Sequence, residues 1–280
     1  MFSENKPTGA LPSISNNMKD YYDHCWTISP RDRGDRDMER AEKIVSMIPE
    51  GARSVLEVGC GDGLIINRIA VEERMGTDLS KEGLKSVNCP TVICPAHDMP
   101  FPDRRWDVVI ASEVLEHIPE DEYEKSLCEI ARIANNCILI SVPNRENLKQ
   151  AQTKCPCCGS VYHPFRHLRS FEPVDLEKLF PGFRIHKVLE IGHKYRVMTS
   201  PEIFIRYRIL RRWVHCAGGK CPVCGLLRPG ESLAEVKKGE RGEKLAGLKR
   251  GMFRLTDSVF GLRRRKRWIC ALFTREKSPN

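Results

Sequence analysis

The stretch that most constrains the fold is residues 54–63, Ser-Val-Leu-Glu-Val-Gly-Cys-Gly-Asp-Gly. Val55, Leu56 and Val58 form the apolar run of a short buried strand, which breaks into three glycines within five residues. Residues 64–70 then favour a helix. Backbone N–H groups can approach a ligand closely at such glycines, and a helix N-terminus favours negative charge. The stretch therefore predicts a site for a ligand that carries a carboxylate or a phosphate.

A second acidic residue follows at the end of the next predicted strand. Asp78 stands 21 residues after Glu57. An acid at the end of a second strand can accept hydrogen bonds from ribose hydroxyls. A third strand is predicted at residues 91–96 and a fourth from Trp106 onward. Strands that alternate with helices in this way predict an α/β fold with a parallel sheet.

In this order, the motifs resemble those of class I S-adenosylmethionine-dependent methyltransferases of type 11/12, in a subset with an inserted zinc-ribbon-like Cys-x-x-Cys pair. The resemblance implies a Rossmann-like, doubly wound sheet of seven strands in the order 3-2-1-4-5-7-6, with zinc-knuckle insertions after strands 5 and 6. It implies S-adenosylmethionine as cofactor, although a nucleotide site of another kind stays open. The implied donor-binding residues are Glu57, Gly59, Cys60, Gly61, Asp78, Leu79, Asp98, Met99 and Glu113.

A group of acids and one histidine follows the fourth strand, where ligands bind in open α/β sheets. Glu113, Glu116 and His117 resemble an arrangement in ubiquinone-pathway O-methyltransferases and small-RNA 2′-O-methyltransferases, where it helps to hold a divalent metal. The resemblance implies a Mg²⁺ site at these three residues. Alternatively, the group caps the following helix and contacts donor or solvent. Imidazole titrates near neutral pH, so His117 is the first candidate base, with His167 second and Glu116 beside them.

Two knuckles of the form Cys-Pro-x-Cys-Gly predict a structural zinc ion. Two parallel strands should carry both insertions to the same edge of the sheet, so the knuckles can meet there. Redox chemistry by a single Cys-x-x-Cys pair is the alternative. Cys157 and Cys216 are then spare thiols, and His163 could replace one ligand. The four predicted ligands are Cys155, Cys158, Cys221 and Cys224.

The predicted organisation places two insertions within one domain. The leader either folds over the cofactor from residue 19 onward or packs on the sheet. Basic amphipathic helices are predicted at residues 203–214 and 245–262. The segments are 1–36, a disordered leader and cap; 37–143, the cofactor-binding half; 144–172, the first zinc-knuckle insertion; 173–191, a helix and strand 6; 192–265, the second insertion; and 266–280, the last strand and tail.

Composition bounds the environment and the partners. The 280 residues contain no run of 18 apolar residues and begin without an apolar signal region, so we expect no transmembrane segment. Thirteen cysteines, an odd number, favour a reducing, cytoplasmic location. Residues 1–140 hold 16 Lys and Arg against 25 Asp and Glu, a charge of −9, whereas residues 141–280 hold 30 against 12, a charge of +18. The basic half predicts an anionic partner, unless it is an ordinary solvated surface.

The expected activity is methyl transfer to a small-molecule or glycan-type, anionic acceptor, with O- or C-methylation left open. An RNA methyltransferase is the first alternative, in which residues 263–267 contact phosphates. Peripheral contact with an acidic membrane is a further possible partner interaction. A non-catalytic S-adenosylmethionine-binding zinc module is the second alternative. Such a module would be expected to lose the glycines or Asp78, and this sequence retains them.

Overall fold

The computed structural model describes residues 14–28, 34–214, 219–227 and 264–276. Its helices are α1 Ile14–Ile28, α2 Asp35–Val45, α3 Lys81–Leu84, α4 Glu120–Ile133, α5 Pro173–Leu176 and α6 Ser200–Phe204, with a 3-10 turn at Ile66–Arg68 and a π-helical turn at Ile205–Ile209. Its strands are β1 Ser54–Val58, β2 Glu73–Asp78, β3 Thr91–Ile93, β4 Trp106–Ser112, β5 Ala134–Pro143, β6 Thr153–Lys154, β7 Val161–Tyr162, β8 Phe183–Arg196 and β9 Arg264–Arg275.

A seven-stranded sheet in the order β3-β2-β1-β4-β5-β9-β8 forms the centre of the fold. The first five strands in this order are parallel to one another. Strand β9 runs antiparallel to both of its neighbours, β5 and β8. The small β6-β7 hairpin stands apart from this sheet. Counted within the sheet alone, the order is 3-2-1-4-5-7-6, which confirms the predicted architecture.

Apolar side chains cover both faces of the sheet. Alternate residues of β4 point to opposite faces, so Val109 packs in one core and Val108 in the other. Helix α4 contributes Ile130 to the first core, and α2 contributes Ile44 to the second; both side chains are fully buried. A strand buried on both faces needs a largely apolar sequence, and β1 has five buried residues of which Val55, Leu56 and Val58 are apolar.

The prediction of a helix at residues 64–70 was wrong, since this stretch holds only the 3-10 turn at Ile66–Arg68. Side chains form hydrogen bonds with the backbone N–H and carbonyl groups of this stretch instead. The Glu57 carboxylate accepts a hydrogen bond from the backbone N–H of Ile66 at 2.8 Å. Arg74 Nη1 donates to the carbonyls of Ile66 and Ile69 at 2.9 and 3.1 Å. Carbonyls held this way are unavailable to an α-helical ladder.

Other predicted elements differ in extent. The predicted helix at 203–214 is shorter, because α6 and its π-helical turn end at Ile209 and Arg211 has a φ of +48°. The predicted strand at 91–96 stops at Ile93, just before Cys94-Pro95. Residues 14–17, predicted as disordered, are part of α1. The remainder of the predicted disorder (1–13) and the predicted helix at 245–262 lie outside the described residues.

Both insertions leave the sheet at the same edge. The first follows β5, and the second follows β8, which continues to Arg196 instead of ending at residue 191 as predicted. Both strands are antiparallel to β9, so they are parallel to each other. The last strand begins at Arg264, two residues before the predicted boundary. The chain thus carries two long connections to the edge where the parallel strands end.

Candidate functional site

A cavity of about 750 Å³ opens at the carboxyl ends of the parallel strands. This is the position at which open α/β sheets bind ligands. Part of α1 covers it, and the first insertion closes its far end through Pro164, Phe165 and His167. Of the donor-binding residues expected from the sequence, those that line the cavity are Glu57, Gly59, Cys60, Gly61, Asp78, Leu79 and Glu113.

The turn after β1 needs glycine for two separate reasons. Gly59, Gly61 and Gly63 have φ values of +66°, +54° and +82°, a region that other residues enter only with strain. Space is also lacking, since a Cβ on Gly61 would lie 2.4 Å from Cζ2 of Trp26. The turn therefore brings backbone to the cavity wall where no side chain fits.

Asp78, at the end of β2, is tied directly to this turn. Its Oδ2 accepts a hydrogen bond from the Gly61 N–H at 2.8 Å, and its Oδ1 accepts one from the Ser80 N–H at 2.8 Å. Burial raises the pKa of Asp78, and the two backbone hydrogen bonds oppose that rise. These contacts hold the carboxyl group in place beside the glycine turn.

Helix α1 forms the roof of the cavity. The Trp26 ring lies against Gly61 and Gly83. Asp23 Oδ1 accepts a hydrogen bond from the Ser80 hydroxyl at 2.6 Å, which anchors the helix to the start of α3. Tyr22 meets the His117 ring edge-on at 6.1 Å. Of the two alternatives for the leader, the one in which it folds over the cavity describes this arrangement.

Asp98 and Met99, expected at the cofactor, do not line the cavity. The Asp98 side chain is exposed, and Met99 is buried in the apolar core beneath the sheet. Because β3 ends early, the four residues that follow it reach the cavity first. These residues are Cys94, Pro95, Ala96 and His97.

Histidines and carboxylates gather at the end of the cavity beside the first insertion. The rings of His117 and His167, two of the predicted catalytic residues, stand 4.8 Å apart. Glu146 accepts a hydrogen bond at His167 Nδ1, and its other oxygen lies 3.7 Å from His163 Nε2. Burial alone would raise the pKa of Glu146, but hydrogen bonds and charge from the two histidines hold it below its usual range. Sequence reasoning missed Glu146, which no local motif marks.

Glu116, the third predicted catalytic residue, is completely buried beside His117. Its Oε1 lies 4.0 Å from His117 Nε2, and neither carboxyl oxygen has a hydrogen-bond partner among the described residues. Burial, together with the charges of Glu113 and Glu146, raises the pKa of Glu116 well above its ordinary value. Protonation of the Glu116 carboxyl group, or binding of a cation beside it, would remove the cost of burying its negative charge.

The trio expected to hold Mg²⁺ is not brought together. Glu113, at a φ of +57°, accepts hydrogen bonds from Trp268 Nε1 at 2.7 Å and from the Ser141 hydroxyl at 3.3 Å. Its place is taken by His167, since ligand atoms of Glu116, His117 and His167 lie within 4.8 Å of one another. One carboxylate and two imidazoles form a donor set that suits a transition-metal ion better than Mg²⁺.

Arg40, which lines the cavity, is a second residue that sequence reasoning missed. Its side chain is buried, Nη1 donates a hydrogen bond to the Ser112 hydroxyl at 2.7 Å, and its guanidinium lies 5.3 Å from the Trp268 ring centre. Asp37 Oδ1 lies 3.8 Å from Arg40 Nη2. An arginine among the core-facing positions of α2 was the available signal. A buried cation facing this cavity would suit a carboxylate ligand.

The four predicted zinc ligands meet in one cluster. Cys155 Sγ lies 3.6 Å from Cys224 Sγ, and Cys158 Sγ lies 3.7 Å from Cys221 Sγ. All four sulfurs lie within 4.8 Å of one another. Tetrahedral zinc–sulfur bonds of about 2.3 Å place the sulfurs about 3.8 Å apart. The donors therefore fit one tetrahedral zinc ion.

The two knuckles repeat one backbone design. Gly159 N–H donates to the Cys155 carbonyl at 3.1 Å, and Gly225 N–H donates to the Cys221 carbonyl at 3.0 Å. The glycines have φ values of +74° and +70°. Burial would raise the pKa of Cys221, but backbone amides of the knuckle and the Ser160 hydroxyl outweigh it and lower the pKa to about 6. His163, considered as an alternative ligand, instead belongs to the group around Glu146.

Comparison with known proteins agrees with this geometry. Residues 56–136 match the family described as Methyltransferase domain. A Mycolicibacterium smegmatis protein named a probable S-adenosylmethionine-dependent methyltransferase is 29% identical over 150 residues. That alignment covers 50% of this chain and 56% of the relative, so the chain spans little more than half of that protein's length.

Two solved structures share the fold at low sequence identity. One is a chain from the complex between the Haloferax volcanii Trm112 methyltransferase activator and a candidate methyltransferase, with a TM-score of 0.54 and 14% identity over 94% of this chain and 99% of that one. The other is a candidate methyltransferase from Bacillus halodurans, with a TM-score of 0.50 and 14% identity over 86% and 99%. The sheet order and the glycine turn agree with this likeness of residues 56–136 to a methyltransferase domain.

Proposed function

We propose that the chain transfers a methyl group from S-adenosylmethionine to an acceptor that binds beside His117 and His167. One observation carries the proposal: the glycine turn and Asp78 are joined by a hydrogen bond at the wall of a single cavity under α1. Binding of a nucleoside-type ligand needs close backbone approach and an acid at the end of β2. Both requirements are met at this edge of the sheet.

Each end of the donor has residues suited to it. Gly59, Cys60 and Gly61 would line the methionine portion, with the Arg40 guanidinium available to its carboxylate. Asp78 would accept hydrogen bonds from the ribose hydroxyls, because a carboxylate oxygen has lone pairs beyond those used by the backbone. Leu79 would pack beside the adenine ring.

Methyl transfer from a sulfonium is an in-line displacement, so the protein must mainly align donor and acceptor. A base is needed only when the attacking atom carries a proton that must leave. The bond between Glu146 and His167 Nδ1 leaves Nε2 as the nitrogen that can accept this proton. His117 is the second candidate base, since it lines the same end of the cavity.

We further propose two metal sites. The four knuckle cysteines would hold a structural zinc ion that joins the two insertions. As an alternative to an imidazole base, Glu116, His117 and His167 would hold a divalent ion, which lowers the pKa of an acceptor hydroxyl when bound. The two roles exclude each other, because a nitrogen that coordinates a metal cannot also accept a proton. Elemental analysis of protein prepared without added metal tests both sites. Cys224→Ser should remove one ion and Glu116→Gln the other.

The acceptor we propose is a small-molecule or glycan-type anion. The charge of +18 in residues 141–280 supports an anionic acceptor. An RNA acceptor is the alternative, for which Arg264 and Arg265 on β9 would supply phosphate contacts. Steep loss of RNA binding with rising salt would favour that alternative. Within the described residues, the chain has no helix with the length and apolar character needed to span a membrane.

Calorimetry with S-adenosylmethionine and with its demethylated product tests the donor site. Asp78→Ala should weaken binding by about 1.5 to 3 kcal/mol, the range for hydrogen bonds to a charged group. Asp98→Ala is the matched control, since that exposed carboxylate lies outside the cavity. If the unmodified chain bound neither compound, or if both variants lost the same affinity, the proposed donor site would be wrong.

A further inference from the structure

A second groove, of about 1360 Å³, lies between the first insertion and the segment around α6. Nothing in the donor site uses it. Six basic side chains line the groove against two acidic ones, Glu146 and Glu172. The basic side chains are Arg145, Lys149, Lys154, Arg208, Arg211 and Arg265.

The positive charge of the groove is largely uncompensated. Glu172 is paired with Arg145 at 3.5 Å, and Glu146 is occupied by the two histidines. In the part of the chain that the structure describes, Lys149, Arg208 and Arg211 have no acidic partner and are exposed. Basic groups on opposite walls of a groove can hold a phosphate between them.

The floor of the groove is apolar. Met198, Ile203 and Tyr207 form a small buried cluster, and Tyr207 stacks on Trp213 at 4.7 Å. Phe204 also lines the groove and is 58% exposed, which is unusual for so large an apolar side chain. A purely ionic ligand would leave this apolar surface in contact with water.

The groove adjoins the donor cavity. Glu146 lines the groove, and its hydrogen-bond partner His167 lines the cavity. The two spaces are therefore separated at this point by a single pair of side chains. A ligand at this end of the groove would contact Glu146, which is hydrogen-bonded to one of the residues proposed to receive the acceptor.

We infer that this groove binds an acceptor that carries both a phosphate and an apolar group. The inference deepens the proposed function and names its substrate class. Lys149, Arg208 and Arg211 hold the phosphate, and Phe204 with Tyr207 contacts the apolar part. The phosphate belongs either to a free amphipathic molecule or to a lipid headgroup.

The test uses all 280 residues of the chain, loaded with metal, and three probes: monomeric decyl phosphate, inorganic phosphate, and phosphatidylglycerol vesicles. Decyl phosphate should bind saturably and more tightly than inorganic phosphate. The double variant Arg208→Glu/Arg211→Glu should weaken this binding about tenfold or more, the loss of at least one charge-assisted hydrogen bond. Lys149→Glu, on another wall, should do the same.

Lys178→Glu/Arg184→Glu is the control, because these exposed residues change the net charge equally but do not line the groove. Tighter binding of vesicles than of monomeric decyl phosphate would assign the phosphate to a lipid headgroup, and the reverse order would assign it to a free ligand. Equal losses in control and groove variants, or no preference for decyl phosphate over inorganic phosphate, would overturn the inference. An RNA oligonucleotide that used the same arginines while decyl phosphate failed to bind would also overturn it. Donor calorimetry on these preparations reports separately on the proposed function.

Discussion

Removal of one knuckle cysteine should uncouple the two insertions while the donor half of the chain remains folded. Cys224→Ser takes away one of four sulfurs whose paired separations, 3.6 and 3.7 Å, are close to the tetrahedral value. The zinc ion proposed for this cluster would join residues 63 positions apart, Cys158 and Cys221. The loop-closure relation for a cross-link over that length gives about 4 kcal/mol. That is the expected loss in local stability of the knuckles.

Hydrogen exchange is the appropriate assay, because the loss is local. Exchange should accelerate at residues 153–162 and 219–227, whereas β1 and β4 should keep their protection. X-ray absorption on the unmodified protein should give four sulfur neighbours at about 2.3 Å. Cys157→Ser is the matched control, since this exposed cysteine lies in the same knuckle but outside the group of four.

Three results would refute this reasoning. Equally faster hydrogen exchange in Cys157→Ser would show that Cys155, Cys158, Cys221 and Cys224 are not the specific metal ligands. Protein that contains no metal and has a disulfide within the cluster would show a redox pair instead. Protection lost across the whole sheet would show that the insertions are part of the core fold.

Two further changes test the donor turn and the buried acid. Gly61→Ala should abolish measurable donor binding, because the added Cβ would lie 2.4 Å from Trp26. Gly182→Ala is the control, since Gly182 also has a positive φ, +82°, but has open space around it. This control should lower the stability of the fold by only about 1 to 2 kcal/mol. Burial raises the pKa of Glu116 in the folded state above its value of about 4.3 in the unfolded chain. As pH rises above the unfolded pKa, the unfolded chain loses this proton first, and the folded state becomes less stable. In metal-free protein, Glu116→Gln should therefore melt above the parent at pH 8, with the difference fading near pH 4. A constant difference in melting temperature across that range would contradict the assigned shift.

Much of the fold was predictable because its signals are local. The apolar run of β1 and the glycines that follow it lie within ten residues, and Asp78 ends its own short strand. The strand order was implied by the resemblance of these motifs to class I S-adenosylmethionine-dependent methyltransferases, since their order along the chain still leaves more than one topology open. The four cysteines were also predictable, because each knuckle needs only its own short turn.

Contacts between distant segments decided the remainder. His167 stands beside Glu116 and His117 only because the first insertion folds back over the carboxyl edge of the sheet. Glu113 is drawn away by Trp268, 155 residues later in the chain. Likewise, Asp98 is exposed because β3 ends at Ile93, which no periodicity in the sequence marks.

The sequence by itself therefore determined the sheet, the glycine turn and the identity of the knuckles, which depend on backbone conformation and on patterns within one element. The tertiary structure decided which side chains share the end of the cavity beside the first insertion and where the basic residues form a groove. Backbone preference acts over a few residues, and it carries no information about which remote side chain reaches a given space. Packing of the insertions against α1 and the sheet edge supplies that information.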